Sequence, residues 1–78
     1  PNPFNSKTHV NFEVQERSRV SIQVYDISGR LISTLFDGDK MAGKHSVAWE
    51  GADAGAGIYM IKMTTPSFQS ARKVIQLK

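Results

Sequence analysis

The sequence predicts an all-β domain, an antiparallel β-sandwich of six to seven short strands. Three observations predict it. Apolar and polar residues alternate with a period of two in one segment after another, the pattern of a strand with one buried face. Gly, Pro, Asp, Asn and Ser interrupt those segments about every ten residues, the spacing of a sandwich. No window repeats its apolar residues at the spacing of an amphipathic helix.

Taken in order, the chain opens on Pro1-Asn2-Pro3-Phe4-Asn5. Two prolines fix φ and remove two donors, so residues 1–5 are expected as a rigid lead-in, with Phe4 as its apolar anchor. Residues 6–78 are expected to form the sandwich, and 1–78 a single domain. Residues 8–14 alternate, with Val10, Phe12 and Val14 on one face and His9, Asn11 and Glu13 on the other. A polar link at 15–18 leads to a second strand at 19–25, in which Val20, Ile22 and Val24 alternate with Ser21 and Gln23.

Asp26-Ile27-Ser28-Gly29 breaks that alternation. Asp favours the first position of a turn because its carboxylate bonds amides further along, and Gly supplies the positive φ that closes it. A β-rich run at 31–36 follows, so residues 20–36 read as a hairpin. A hairpin alone is marginal in water, and the rest of the chain must cover its apolar face. Residues 37–43, bracketed by glycines, read as a loop. Residues 44–50 alternate again, with Val47 and Trp49 inward and His45 a further candidate for that face. Residues 51–57 are too rich in glycine for a strand. At 58–65 both faces are apolar (Ile58 and Met60 against Tyr59, Ile61 and Met63), which places the strand mid-sheet. Thr65-Pro66-Ser67 is a turn, and 68–77 is the last strand. The two sheets would share Val10, Phe12, Ile22, Val24, Leu35, Val47, Trp49, Tyr59 and Ile61.

The totals exclude several classes. The 78 residues contain no cysteine, so neither a disulfide nor a thiolate metal site is available. A net charge of +3, with Arg72, Lys73 and Lys78 near the end, is too mild for a nucleic-acid binder. No apolar run approaches the ~20 residues of a membrane helix, so no membrane insertion is expected. The start at Pro1 suggests a domain cut from a longer protein.

Candidate chemistry is sparse, and no cofactor is expected. His9 and His45 lie 36 positions apart without motif partners and read as ordinary strand residues. Ser28, Ser33 and Ser46 lack a nucleophile-elbow pattern. Asp37, Asp39 and Asp53 could offer oxygens to calcium, but the loop spacing of a calcium site is missing and turn chemistry explains them. Residues 51–57 lack the lysine of a phosphate-binding loop. Trp49, Tyr25 and Tyr59 could make a sugar-stacking platform, although the register of Trp49 with Val47 favours the core. The basic end reads equally as a solvated edge strand or as a patch for a partner. The residues alone give a small non-enzymatic β domain.

Five segments, in order, resemble one family. Pro1-Asn2-Pro3-Phe4-Asn5 resembles the opening of the type A C-terminal sorting domains of the type IX secretion system. Val24-Tyr25-Asp26-Ile27-Ser28-Gly29-Arg30-Leu31 resembles their hairpin. Ala42-Gly43-Lys44-His45-Ser46-Val47-Ala48-Trp49-Glu50-Gly51 resembles their tryptophan segment, with Glu50 where Asp is frequent. Gly55-Ala56-Gly57-Ile58-Tyr59 and Lys73-Val74-Ile75-Gln76-Leu77-Lys78 resemble their last two strands. The immunoglobulin-like domain of the flagellar hook-capping protein is similar, but the opening and the ending favour the sorting domain.

The resemblance implies an immunoglobulin-like sandwich that acts as a C-terminal secretion signal. Its partners would be the type IX translocon and sortase and a preceding cargo domain in the same chain. The cargo would pass the periplasm and reach the outer membrane surface or the extracellular space. Asp26, Gly29, Arg30, Lys73, Ile75, Leu77 and Lys78 are the expected recognition residues, with strand addition at an exposed edge. Pro3, Phe4, Trp49, Gly57 and Tyr59 are the structural signature. Deleting 73–78 is expected to block export, and a small sandwich with an open edge could form a strand-exchanged dimer. The alternatives are a passive immunoglobulin-like spacer and a carbohydrate-binding accessory module.

Overall fold

The computed structural model describes the backbone of residues 3–5, 7–51 and 54–77, and the side chains of 7–51 and 54–77. Seven strands are described: β1 (Pro3–Asn5), β2 (Lys7–Val14), β3 (Ser18–Asp26), β4 (Leu31–Lys40), β5 (Gly43–Glu50), β6 (Gly57–Thr64) and β7 (Gln69–Leu77). They form a five-stranded sheet in the order β1-β7-β6-β3-β4 and a two-stranded sheet of β2 and β5. All pairings are antiparallel except β1 on β7. The expected all-β sandwich is thus the observed one.

Period-two alternation places the core between the sheets. Val20, Ile22 and Val24 of β3 are fully buried, and Tyr59, Ile61 and Met63 of β6 lie beside them. The two-stranded sheet closes over them with Val10, Val14 and Trp49. The expected core residues Phe12, Leu35 and Val47 are partly buried against this cluster. Val14, Val20, Met63 and Val74 complete it. β6 is flanked by β3 and β7, the mid-sheet position its two apolar faces predict.

Two elements differ from expectation. Asp37-Gly38-Asp39, read above as loop, continues β4 to Lys40 and pairs with Ser21, Val20 and Arg19. Turn chemistry loses here because β3 pairs along the segment and cations stand beside it: Arg19 of β3 binds Asp37 at 2.9 Å, and Arg17, just before β3, binds Asp39 at 3.3 Å. The opening segment, expected to lead into the sandwich, joins it. Pro3, Phe4 and Asn5 run parallel to Ile75, Gln76 and Leu77. The end of the last strand therefore offers no free edge, and strand addition there is ruled out while β1 is in place. Proline suits this place, since an edge strand tolerates a missing donor. The side chain of Phe4 lies outside the described residues.

The link from β5 to β6 is held from a distance. The buried Gln76 amide nitrogen donates to the carbonyls of Gly51, at 2.6 Å, and Gly55. The Tyr59 hydroxyl donates to Ala54 (2.6 Å) and Gly55 (2.8 Å). Trp49 meets Tyr59 edge to face with ring centroids 5.0 Å apart. Gly51 is glycine because of this crowding: a Cβ there would strike the Gln76 side-chain oxygen and lie 3.0 Å from the Trp49 ring.

Candidate recognition surface

The 26–30 turn is built from its own residues. The Asp26 carboxylate accepts from the Ser28 amide (2.9 Å), the Ser28 hydroxyl (2.7 Å) and the Arg30 amide (2.9 Å). Its second oxygen holds Arg30 Nε at 3.2 Å. The Gly29 amide donates to the Asp26 carbonyl at 3.0 Å, and Gly29 sits at φ +91°, where an L side chain is strained. Donation from the Ser28 hydroxyl, then from the Arg30 amide, holds the Asp26 carboxyl below its ordinary value. The turn is fixed in shape, and Ile27 at its tip is 80% exposed.

The turn stands at one end of the outward face of the five-stranded sheet. Tyr25, Met60 and Lys73 form a row across β3, β6 and β7, and Ile58 lies opposite Ile75. Tyr25, Asp26, Ile27, Gly29, Ile58, Met60, Lys62, Ala71 and Lys73 line one open depression of ≈ 640 Å³. Lys62 lies over the Tyr25 ring, 5.3 Å from its centroid. Leu31, Ile58 and Leu77 are exposed large apolar side chains. Among the described residues, neither Lys62 nor Lys73 makes an ion pair, and the one carboxylate at this end, Asp26, is engaged within the turn. An apolar field with free cations beside it suits a partner that is apolar and acidic.

Of the expected recognition residues, Asp26, Gly29 and Lys73 meet in this depression. Arg30 stands at the foot of the turn, bound to Asp26. Ile75 and Leu77 follow Lys73 along β7, and Lys78 lies outside the described residues. Ile27, Ile58, Met60, Lys62 and Tyr25 were not singled out for recognition. The signal was present in the second apolar face of β6, which reads as burial but opens to solvent at Ile58.

The other candidates resolve differently. Trp49 and Tyr59 are buried at 3% and 5% exposure, so they offer a sugar no platform. His45 stacks on Phe12 at 5.5 Å, and its Nε2 meets the Met41 carbonyl at 2.8 Å. His9 is exposed on β2. Asp37 and Asp39 are taken by arginines, and Asp53 lies outside the described residues. Among the described residues no three His, Cys, Asp or Glu side chains gather as a metal site.

Compared with known families, residues 1–77 match the secretion system C-terminal sorting domain. No curated protein matches the chain.

Proposed function

The chain belongs to the secretion system C-terminal sorting domains, and from that membership we propose how it is read. A domain of this family is a non-catalytic sorting signal for type IX secretion. It marks the cargo chain for export through the periplasm to the cell surface or beyond, and it engages the secretion machinery. The machinery reads the outward face of the five-stranded sheet at its turn end. Ile27, Ile58 and Met60 supply the apolar contact, Lys62 and Lys73 the charge, and the self-closed turn the shape. Asp26, Gly29 and Arg30 act by holding that shape; Ile75 and Leu77 extend the apolar field along β7. The partner surface is apolar and acidic. Any cutting of the domain from its cargo is the work of a sortase in the machinery.

One observation carries this reading: the turn, β6 and the last strand bring to the same end of one face an apolar field and two lysines, Lys62 and Lys73, that make no ion pair among the described residues. The test is export of a periplasmic reporter fused ahead of the domain, in a host with the machinery. Ile27→Asp with Lys73→Glu is expected to leave the reporter in the periplasm while the domain keeps its thermal transition. Wild-type surface display by that folded double variant overturns the reading. Deletion of 73–78 is a poorer test, because it also removes the buried Val74 and Gln76 and unfolds the sandwich.

A further inference from the structure

The two sheets do not match in width, and the mismatch leaves a cleft. Ser70 and Arg72 share the inward face of β7 with the buried Val74 and Gln76, yet both are exposed. The two-stranded sheet stops short of them. Beneath lies a cleft of ≈ 200 Å³ lined by Val10, Phe12, Ile61, Met63, Ser70 and Arg72, among others. Among the described residues, β7 carries a neighbour on its outer side only at Ile75, Gln76 and Leu77, where β1 lies. Among the described residues, none lies beside 69–74 on that side. β2, on the other side of the cleft, is paired only with β5 among the described residues.

The remaining edges carry devices against strand addition. β4 bears Asp37, Asp39 and Lys40, and its pairing with β3 slips at Ile22/Gln23 and at Val24/Tyr25. β2 and β5 expose Lys7, Glu13, Lys44 and Glu50. The β6–β7 ladder, in contrast, runs without a slip from Gly57↔Gln76 to Thr64↔Gln69. Gln69, Ser70 and Ala71 on this half-edge carry neither charge nor proline, and β1 already shows that the edge accepts a strand beside it.

We infer that residues 69–74 of β7 are a docking edge for an extended strand of a partner protein, one that alternates apolar and acidic residues. Seated end to end with β1, the guest hydrogen-bonds to the open edge. Its inward side chains enter the cleft against Val10, Phe12 and Met63. Its outward carboxylates meet Lys73, which makes no ion pair among the described residues. Arg72 and Lys73 together turn a second copy of this basic edge away and draw an acidic strand in. The inference shares Lys73 with the outward patch, whose other residues lie on the other face of the sheet.

The test uses two synthetic peptides, one alternating valine and glutamate, the other valine and lysine. Each is titrated into the isotope-labelled chain while amide shifts and hydrogen exchange are followed. The glutamate peptide is expected to shift and protect the amides of residues 69–74, and the lysine peptide to bind about tenfold more weakly or less. Ser70→Trp fills the cleft and removes binding, whereas Ile27→Asp on the outward face leaves it unchanged. Circular dichroism confirms that both variants are folded. Three results overturn the inference: no response at residues 69–74 with millimolar peptide, equal binding of the two peptides, or a response centred on β4. Concentration-dependent protection of residues 69–74 without peptide also overturns it, since the guest is then a second copy. Failure here with export still lost in Ile27→Asp alone, which leaves Lys73 in place, leaves the outward patch standing.

Discussion

The 26–30 turn and the link between β5 and β6 lie at the same end of the five-stranded sheet, where Asp26 pairs with Tyr59. Each reverses the chain, but they are closed from different places. Asp26 closes the turn with groups no more than four residues away. The link is closed by Gln76, 25 residues from Gly51, and by the Tyr59 hydroxyl. A turn that closes itself keeps its shape whatever the sheet around it does. The link has near bonds too, from the Ala54 amide to Gly51 and from Tyr59 to Ala54 and Gly55, but its Gln76 bonds exist only once the last strand is in place. The end of the chain is therefore a condition of the fold as well as a part of its surface.

Gln76→Leu breaks the remote closure most directly. The leucine has the volume but no amide, so the Gly51 and Gly55 carbonyls each lose one of two donors; Gly51 keeps the Ala54 amide and Gly55 the Tyr59 hydroxyl. The change also removes the Gln76 side-chain oxygen, which is buried without a partner among the described residues, and this offsets part of the loss. The expected cost is about 2–3 kcal/mol, seen as a drop in Tm of roughly 10–20 °C by calorimetry. An unchanged Tm would show that the link is closed without Gln76.

Tyr59→Phe is the gentler cut in the same region. The ring and its edge-to-face contact with Trp49 remain, and only the hydroxyl bonds to Ala54 and Gly55 are lost. About 1–1.5 kcal/mol is expected from urea melts. Combined with Gln76→Leu, the loss should exceed additivity, because each single variant leaves the Gly55 carbonyl one side-chain donor and only the double variant removes both. Strict additivity would mean that the two act on separate closures.

Gly29→Ala tests the local closure. The added methyl meets no atom within 4 Å, so the cost is that of φ +91° alone. About 1 kcal/mol is expected, with the amide shifts of β5 unaltered. Spread of the shifts into β5 would show that the turn is not self-contained.

The same contrast explains what could be read from the residues alone. The turn was legible because Asp26, Ser28 and Gly29 stand together and each favours it by its own chemistry. The core was legible because alternation is local: Val20, Ile22 and Val24 announce one buried face. Gln76 was not. It reads as one more polar position in a strand, and its partners come from a glycine-rich stretch that reads as slack. The length of β4 was hidden for a related reason. Asp-Gly-Asp is turn chemistry until Arg17 and Arg19 are brought alongside by the pairing of β3. The outward patch was half legible. The two apolar faces of β6 were plain, but no local signal says that the second face of a mid-sheet strand stays open. The pairing of β1 with β7 joins the two ends of the sequence, and no short-range pattern encodes it.

The smallest effect expected is also the most specific to the local closure: the pH dependence conferred by Asp26. Its carboxyl lies below the ordinary value of 3.8, first through donation by the Ser28 hydroxyl and then through the Arg30 amide; burial opposes the shift, and the Arg30 charge contributes last. The folded state therefore binds this proton less readily than the unfolded chain does. The stabilisation is fully present above the unfolded value and is lost as pH falls through the lower folded one. Asp26→Asn keeps an oxygen acceptor but cannot ionise, so it should be less stable than the wild type at neutral pH. The gap should close as pH falls from about 4 toward 2, followed by Tm at each pH. Because hydrogen bonds rank above the Arg30 charge, about 0.5 M salt should narrow the neutral-pH gap only slightly. A gap that persists unchanged to pH 2 would place the effect of the substitution in packing. One that collapses in salt at neutral pH would place it in the Arg30 pair, and the turn would then owe its shape to a surface ion pair and not to the bonds it makes within itself.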